Sequence, residues 1–195
     1  MTEVSAAREA LGTAVPIMVD TNCPWLPEEA REKAEALKPY DLLWLEEPIF
    51  PPEDFSALAK LQVGAGIPIA AGENACTVFE FEKMFAAGAV TYAQPSVTKV
   101  GGITELLKVI DAAELAGVSV MPHSPYFGPG LLATLHVIAA RAPDSLAERF
   151  YVQPEALLYD EWSHPDAGVF QVPTGPGLGV EPDVNVIADY GVGKI

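Results

Sequence analysis

Three carboxylates occur at nearly equal intervals in the first part of the sequence. Asp20, Glu46 and Glu73 each follow a short apolar run, at separations of 26 and 27 residues. If they converge, like charges about 4–5 Å apart repel by roughly 3–4 kcal/mol per pair at an effective dielectric near 20. A divalent cation relieves that repulsion, and ligation by oxygen alone suits Mg2+ better than Zn2+. The spacing therefore predicts a Mg2+ site.

Glu47 and His123 also belong to this pattern. Successive side chains of a strand point to opposite sides, so either Glu46 or Glu47 faces the site, and spacing alone leaves that choice open. His123 follows an apolar run in the same register as the carboxylates. It is either an ordinary core histidine or, as the register favours, a proton-transfer group in the site, because histidine titrates nearest neutrality.

Lys99 and Tyr126 lie in loops that allow two interpretations each. The glycine pair after Lys99 either cradles an anion or forms a tight turn between strand and helix. A Schiff base on Lys99 is not favoured, because it would leave the carboxylates without a role. Tyr126 either donates a hydrogen bond at the site or belongs to a rigid turn.

The elements that position these residues alternate along the chain. Apolar runs predict strands at Val15–Val19, Leu42–Leu45, Pro68–Ala71, Val90–Gln94, Val118–Met121 and Phe150–Val152. Amphipathic stretches predict helices at Pro27–Lys38, Phe55–Leu61, Thr77–Ala87, Thr104–Ala116 and Leu131–Ala140. Such alternation is typical of an α/β fold with a parallel sheet. Polar strand ends that converge on one mouth indicate a TIM-type barrel, here with about six of its eight strands.

Composition excludes several function classes. The 195 residues carry a formal charge of −16, which argues against a nucleic-acid partner. No apolar run is long enough to predict a membrane span, and no basic-then-apolar leader is seen. We therefore expect a cytoplasmic protein in which Cys23 and Cys76 stay reduced.

Several motifs resemble the mandelate racemase/muconate lactonizing branch of the enolase superfamily. They are Met18-Val-Asp-Thr-Asn22, Trp44-Leu-Glu-Glu-Pro48, Ile69-Ala-Ala-Gly-Glu-Asn74, Lys99-Val-Gly-Gly-Ile-Thr104, Pro122-His123 and Pro176-Gly-Leu-Gly-Val180. The resemblance implies a modified barrel that binds Mg2+ and removes the proton α to the carboxylate of a hydroxy acid or sugar acid. It implies Asp20, Glu46 and Glu73 as metal ligands, and His123 as the general acid or base.

Two positions depart from that family pattern. Ser96 stands where the family has an aspartate or a lysine beside the histidine, so we expect His123 to lack a carboxylate partner. Gln153 stands about where the family often has a glutamate, and an amide donates a hydrogen bond but no proton. We include Ser96, Gln153 and Lys99 among the catalytic candidates. These departures favour a dehydratase over a racemase.

The resemblance also predicts how the chain is organised. We expect residues 1–195 to be one C-terminal barrel domain, lacking the early strands and the capping domain, with a 165–195 tail that packs on that cap. Open sheet edges predict a homo-oligomer, or association with a missing N-terminal segment. The chain alone is then expected to be inactive, although its parent protein is a lyase or isomerase. The alternative is a catalytically inactive fragment or pseudoenzyme that keeps the barrel and the metal site.

Overall fold

Five short parallel strands lie side by side in chain order within residues 2–193, the part that the computed structural model describes. They are β1 (Met18–Asp20), β2 (Trp44–Glu46), β3 (Ile69–Ala71), β4 (Tyr92–Ala93) and β5 (Ser119–Val120). The register places Asp20 beside Glu46, and Glu46 beside Ala70. The carboxyl ends of the strands therefore lie along one edge of the sheet.

A helix follows each strand. The helices of residues 2–193 are α1 (Thr2–Leu11), α2 (Pro27–Leu37), α3 (Phe55–Ala65), α4 (Val78–Ala86), α5 (Ile103–Ala116), α6 (Pro129–Arg141) and α7 (Val184–Tyr190). Helix α2 contacts α3, and α5 contacts both α4 and α6. Because crossovers between parallel strands are right-handed, a sequential strand order places the connecting helices on one face. This is the winding of a barrel, and it confirms the predicted α/β fold with a parallel sheet.

The core lies between the strands and the inner faces of these helices. In α5 the buried side chains are those of Leu106, Val109, Ile110 and Ala113, the positions that the helical periodicity predicts. Gly72 follows β3 with φ of 137°, and a Cβ there would meet Phe81 Cε1 at 2.7 Å. Only glycine lets the chain pass so close to the buried Phe81 before it reaches Glu73.

The strand predicted at Phe150–Val152 is not formed, and this prediction is wrong. The segment runs without strand pairing, and Tyr151 is 86% exposed. The Arg149 guanidinium donates hydrogen bonds to the carbonyl oxygens of Phe150 and Val152. These carbonyl groups are therefore engaged by a side chain rather than by a neighbouring strand.

Two helices were not expected from the sequence, α1 and α7. Helix α1 has no fully buried residue. It is held by Arg8, whose guanidinium donates to four backbone carbonyl oxygens, those of Gly12, Val15, Tyr40 and Asp41. These hydrogen bonds add to the packing of Val4, which is partly buried against the core.

Two further features concern helix length and the cysteines. Within residues 2–193, every helix is too short or too polar to cross a lipid bilayer. Cys23 and Cys76 are both free thiols, as the composition predicted.

Candidate active site

Three polar side chains from different strand ends meet at the carboxyl edge of the sheet. Glu46 ends β2, Glu73 follows β3, and His123 follows β5. One ligand atom of each lies within 4.8 Å of the other two. The strand-end register predicted all three residues, and the structure brings them together.

Alternation along β2 separates the two adjacent glutamates. Glu46 turns toward the group, where the indole Nε1 of Trp44 donates to its Oε2 at 2.9 Å. Burial raises the pKa of Glu46, and the charges of Asp20 and Glu148 add to that effect. Glu47 is buried on the other side, where its carboxylate contacts Cys23 and Asn74.

Glu73 and His123 form a close acid–base pair. Nδ1 of His123 lies 3.0 Å from Oε2 of Glu73, and each side chain is 14% exposed. Burial and the charge of Glu47 raise the pKa of Glu73 to about 7. Burial and the charge of Lys99 lower the pKa of His123 to about 4. Near neutral pH the imidazole is therefore uncharged, and Glu73 is partly ionised and able to accept a hydrogen bond from Nδ1.

The expectation that His123 lacks a carboxylate partner is wrong. Besides Glu73, Glu148 approaches it, with Oε2 at 3.4 Å from Nδ1. The backbone N–H of Ser124 donates to the same Glu148 oxygen at 2.7 Å, and burial raises the pKa of Glu148. Sequence reasoning missed Glu148 because it lies in an irregular segment, where no strand register marks it.

Two other catalytic candidates, Lys99 and Gln153, differ in how close they lie to this group. Lys99 is exposed, but its charge lowers the pKa of both Glu73 and His123. It is therefore close enough to both side chains to influence their ionisation. Gln153 is exposed and lines a separate cavity with His164, so the structure does not bring it to the group. Physically, the irregular chain after Glu148 turns Gln153 away from the strand ends.

Ser96 is fully buried and contacts hydroxyl groups rather than the histidine. Its Oγ bonds to Thr98 Oγ1 at 3.1 Å and to the hydroxyl of Tyr126. The Tyr126 ring stands edge-on to His123, with ring centroids 6.2 Å apart. Among the described residues, Tyr126 is the side chain that links Ser96 to His123.

Asp20 lies beside this group but outside its tightest cluster. Its two carboxylate oxygens accept hydrogen bonds from Asn22, at 3.0 Å from the backbone nitrogen and 2.8 Å from Nδ2. Together with Glu46, Gln94 and Glu148, Asp20 lines a cavity of about 200 Å3 at the carboxyl ends of the strands. A cavity of this size holds a small organic acid.

The donor atoms of this cavity suit a hard cation. Three of its lining groups are carboxylates, and Gln94 is only 5% exposed while its Oε1 has no hydrogen-bond partner among the described residues. An unpartnered buried carbonyl oxygen beside crowded carboxylates is an arrangement that a bound cation stabilises. Glu46 and Glu73 could serve as oxygen ligands of Mg2+, and Asp20 as a third ligand stays a prediction.

Comparisons with known proteins identify relatives of this chain. The family model described as enolase C-terminal domain-like matches residues 1–186. A 3,6-anhydro-α-L-galactonate cycloisomerase of Streptomyces coelicolor is 34% identical over 194 residues, which are 97% of this chain and 51% of the relative.

Two solved structures share the fold. The 3,6-anhydro-D-galactonate cycloisomerase of Zobellia galactanivorans has a TM-score of 0.84 and 30% identity, covering 97% of this chain and 54% of that one. The L-talarate dehydratase of Polaromonas sp. JS666, solved with Mg and L-glucarate, has a TM-score of 0.77 and 31% identity, covering 96% and 50%.

The chain spans about half the length of the curated relatives that it matches. The family match nevertheless extends over most of the sequence, from residue 1 to residue 186. The chain belongs to the enolase C-terminal domain-like family, in the mandelate racemase/muconate lactonizing branch of the enolase superfamily.

Proposed function

We propose that this chain forms the barrel part of a Mg2+-dependent enzyme that removes the proton α to the carboxylate of a sugar acid, with dehydration as the favoured outcome. The observation that carries the proposal is the group of Glu46, Glu73 and His123, whose ligand atoms lie within 4.8 Å of one another. Relatives named as a cycloisomerase and a talarate dehydratase support the substrate class.

His123 is the residue we assign to proton transfer. The pKa of its imidazole is lowered to about 4, mainly by burial, so the ring is uncharged and able to accept a proton near neutral pH. Nδ1 is engaged by Glu73 and Glu148, and within residues 2–193 no side chain or backbone group bonds to Nε2. Nε2 is therefore the nitrogen that we assign to the substrate.

Glu46, Glu73 and Asp20 are the residues that would hold the metal. A bound Mg2+ supplies charge neutralisation for the substrate carboxylate, which makes its α proton more acidic. Trp44 holds Glu46 in place, and Asn22 does the same for Asp20.

Dehydration requires an acid for the departing β-hydroxyl. The α C–H bond breaks with transfer of its proton to His123, a C=C bond forms, and the β C–O bond breaks as the hydroxyl takes up a proton. The released water and the enol, which tautomerises to a 2-keto acid, balance the reaction. We assign the proton for the departing hydroxyl to Glu148, because its carboxyl group lies 3.4 Å from His123 and burial raises its pKa.

The test is a screen of the whole enzyme, of which we propose this chain to be the barrel part, against sugar acids, namely galactarate, L-talarate, L-glucarate and D-galactonate, with Mg2+. We expect formation of a 2-keto acid that is abolished by EDTA and by His123→Asn. His164→Asn is the matched control, because that imidazole is exposed and bonds to Asp160 away from the site. Turnover that persists in His123→Asn would contradict the assignment.

The alternative is a catalytically inactive chain that keeps the barrel and the metal site, which the functions named for its relatives do not favour. Such a chain would bind Mg2+ and yet neither form a keto acid nor exchange the substrate α proton with D2O. Exchange without keto-acid formation would instead indicate an isomerase.

We also propose that the protein associates through exposed apolar surface. Tail residues Val169, Val184, Ile187 and Tyr190 are each at least 49% exposed, in the 165–195 tail that the structure describes up to residue 193. Exposed apolar surface of this kind favours a partner, either a second copy or a capping segment. Sedimentation equilibrium tests this proposal, and a monomer that remains stable at micromolar concentration would contradict the homo-oligomer.

A further inference from the structure

A second layer of polar side chains, formed by Glu47, Cys23 and Asn74, lies next to the candidate metal group and has no role in the proposed function. Glu47 is 3% exposed, and its Oε2 accepts from two groups. The thiol of Cys23 donates to it at 3.2 Å, and Nδ2 of Asn74 donates at 2.7 Å. The two donors come from different loops, one after β1 and one after β3.

Each member of this layer is close in sequence to one of the proposed metal ligands. Glu47 directly follows Glu46, and Asn74 directly follows Glu73. Cys23 lies in the loop that begins at Asp20. One buried carboxylate oxygen therefore joins the three loops that carry the three proposed ligands.

Backbone hydrogen bonds also join these loops. The Cys23 N–H donates to the Glu47 carbonyl oxygen at 2.6 Å, and the Glu47 N–H donates to the Ala70 carbonyl oxygen at 3.0 Å. Cys23 and Glu47 both have positive φ, 54° and 41°, although neither is glycine. Backbone conformations of this kind persist only where surrounding contacts enforce them.

We infer that Glu47 is a positioning residue which, through Cys23 and Asn74, holds the loops of Asp20, Glu46 and Glu73 at the separation that Mg2+ binding requires. This inference rests on the proposed function, because it takes those three residues as the ligands. Partners outside the ligand set commonly set the orientation of the ligands, and their loss lowers metal affinity roughly 10- to 100-fold.

The test measures affinity for Mg2+ by titration calorimetry on the full chain, and for Mn2+ by electron paramagnetic resonance. We expect Asn74→Ala and Cys23→Ala each to weaken binding roughly 10-fold or more. Cys23→Ser keeps a donor and should restore most of the affinity. Cys76→Ala is the matched control, since that thiol is exposed and does not contact Glu47.

A double-mutant comparison separates positioning from general destabilisation. In a Glu47→Ala background, Cys23→Ala should weaken Mg2+ binding no further, because both changes remove the same contact. Additive losses would overturn the positioning role. Circular dichroism on each variant verifies that the fold is retained, and Glu47→Leu, which keeps a similar volume but has no acceptor, serves where Glu47→Ala fails to fold.

Different results would contradict this inference and the proposed function. If Glu46→Gln loses Mg2+ while Asn74→Ala and Cys23→Ala bind it like the wild type, the positioning role is overturned and the metal site stands. If the wild-type chain binds no Mg2+, the metal site is overturned and the positioning role with it.

Discussion

Nδ1 of His123 and Oε2 of Glu73 lie 3.0 Å apart, so one carboxylate serves both the candidate metal group and the candidate acid–base residue. Glu73 reaches this position because β3 and β5 flank β4 and end at the same edge of the sheet. A change at Glu73 must therefore affect metal binding and the histidine together.

Replacing Glu73 by Gln should stabilise the metal-free chain and abolish its stabilisation by Mg2+. The pKa of Glu73 is raised to about 7, first by burial and then by the charge of Glu47, so ionisation of this group opposes folding. Because the folded-state pKa lies above the unfolded value, metal-free stability falls as the pH rises from about 4.5 to about 7. We expect Glu73→Gln to raise the free energy of unfolding by on the order of 1–3 kcal/mol at pH 8 in EDTA.

Thermal unfolding with and without Mg2+ measures both effects. Glu32→Gln is the control, because Glu32 is exposed on α2 and its removal changes the net charge equally. A Glu73→Gln protein that is less stable than wild type in EDTA, or that Mg2+ still stabilises, would contradict the assignment.

The group of Glu46, Glu73 and His123 was predictable because a simple rule places it. Parallel strands joined by helices bring their carboxyl ends together, and the three residues stand at or just beyond those ends. Glu148 was not predictable in this way, because it follows a segment without regular periodicity. The strand expected at Phe150 failed for a related reason, since Arg149 engages the carbonyl groups that a strand would pair.

Removing the charge of Lys99 should raise the pKa of His123. The ammonium group disfavours the protonated imidazole, so Lys99→Gln moves the pKa of His123 upward from about 4. The effect should be small and should weaken with added salt, because Lys99 is exposed. Proton NMR titration of the histidine ring signals measures it, with His123→Asn used for assignment. Lys60→Gln, at an exposed position on α3, should leave that pKa unchanged.

The first turn of α4 should contribute a stability that is lost in acid. Thr77 Oγ1 accepts from the Glu80 N–H, and Glu80 Oε2 accepts from the Cys76 N–H and the Thr77 hydroxyl. These hydrogen bonds lower the pKa of Glu80, so its stabilisation is present above about pH 4.5 and is lost as the pH falls through the folded-state value. Glu80→Ala should cost about 1 kcal/mol at pH 7.

Urea unfolding at pH 7 and pH 4 tests this account. Glu80→Gln keeps an acceptor and should lose less stability than Glu80→Ala, with a weaker dependence on pH. Glu82→Ala, at an exposed position of the same helix, is the control. An equal loss in Glu80→Ala and Glu82→Ala would exclude the capping role.

The two thiols should differ sharply in reactivity. Burial and the hydrogen bond to Glu47 raise the pKa of Cys23 to about 12, so about one molecule in 10,000 carries the thiolate at pH 8. Cys76 is exposed, so a disulfide reagent such as Ellman's should titrate one thiol rapidly in the native chain and two in denaturant. Cys76→Ser should leave only the slow reaction, and Glu47→Ala should accelerate it by removing the acceptor. Rapid reaction of Cys23 in the native wild type would show that its thiol is not held by Glu47.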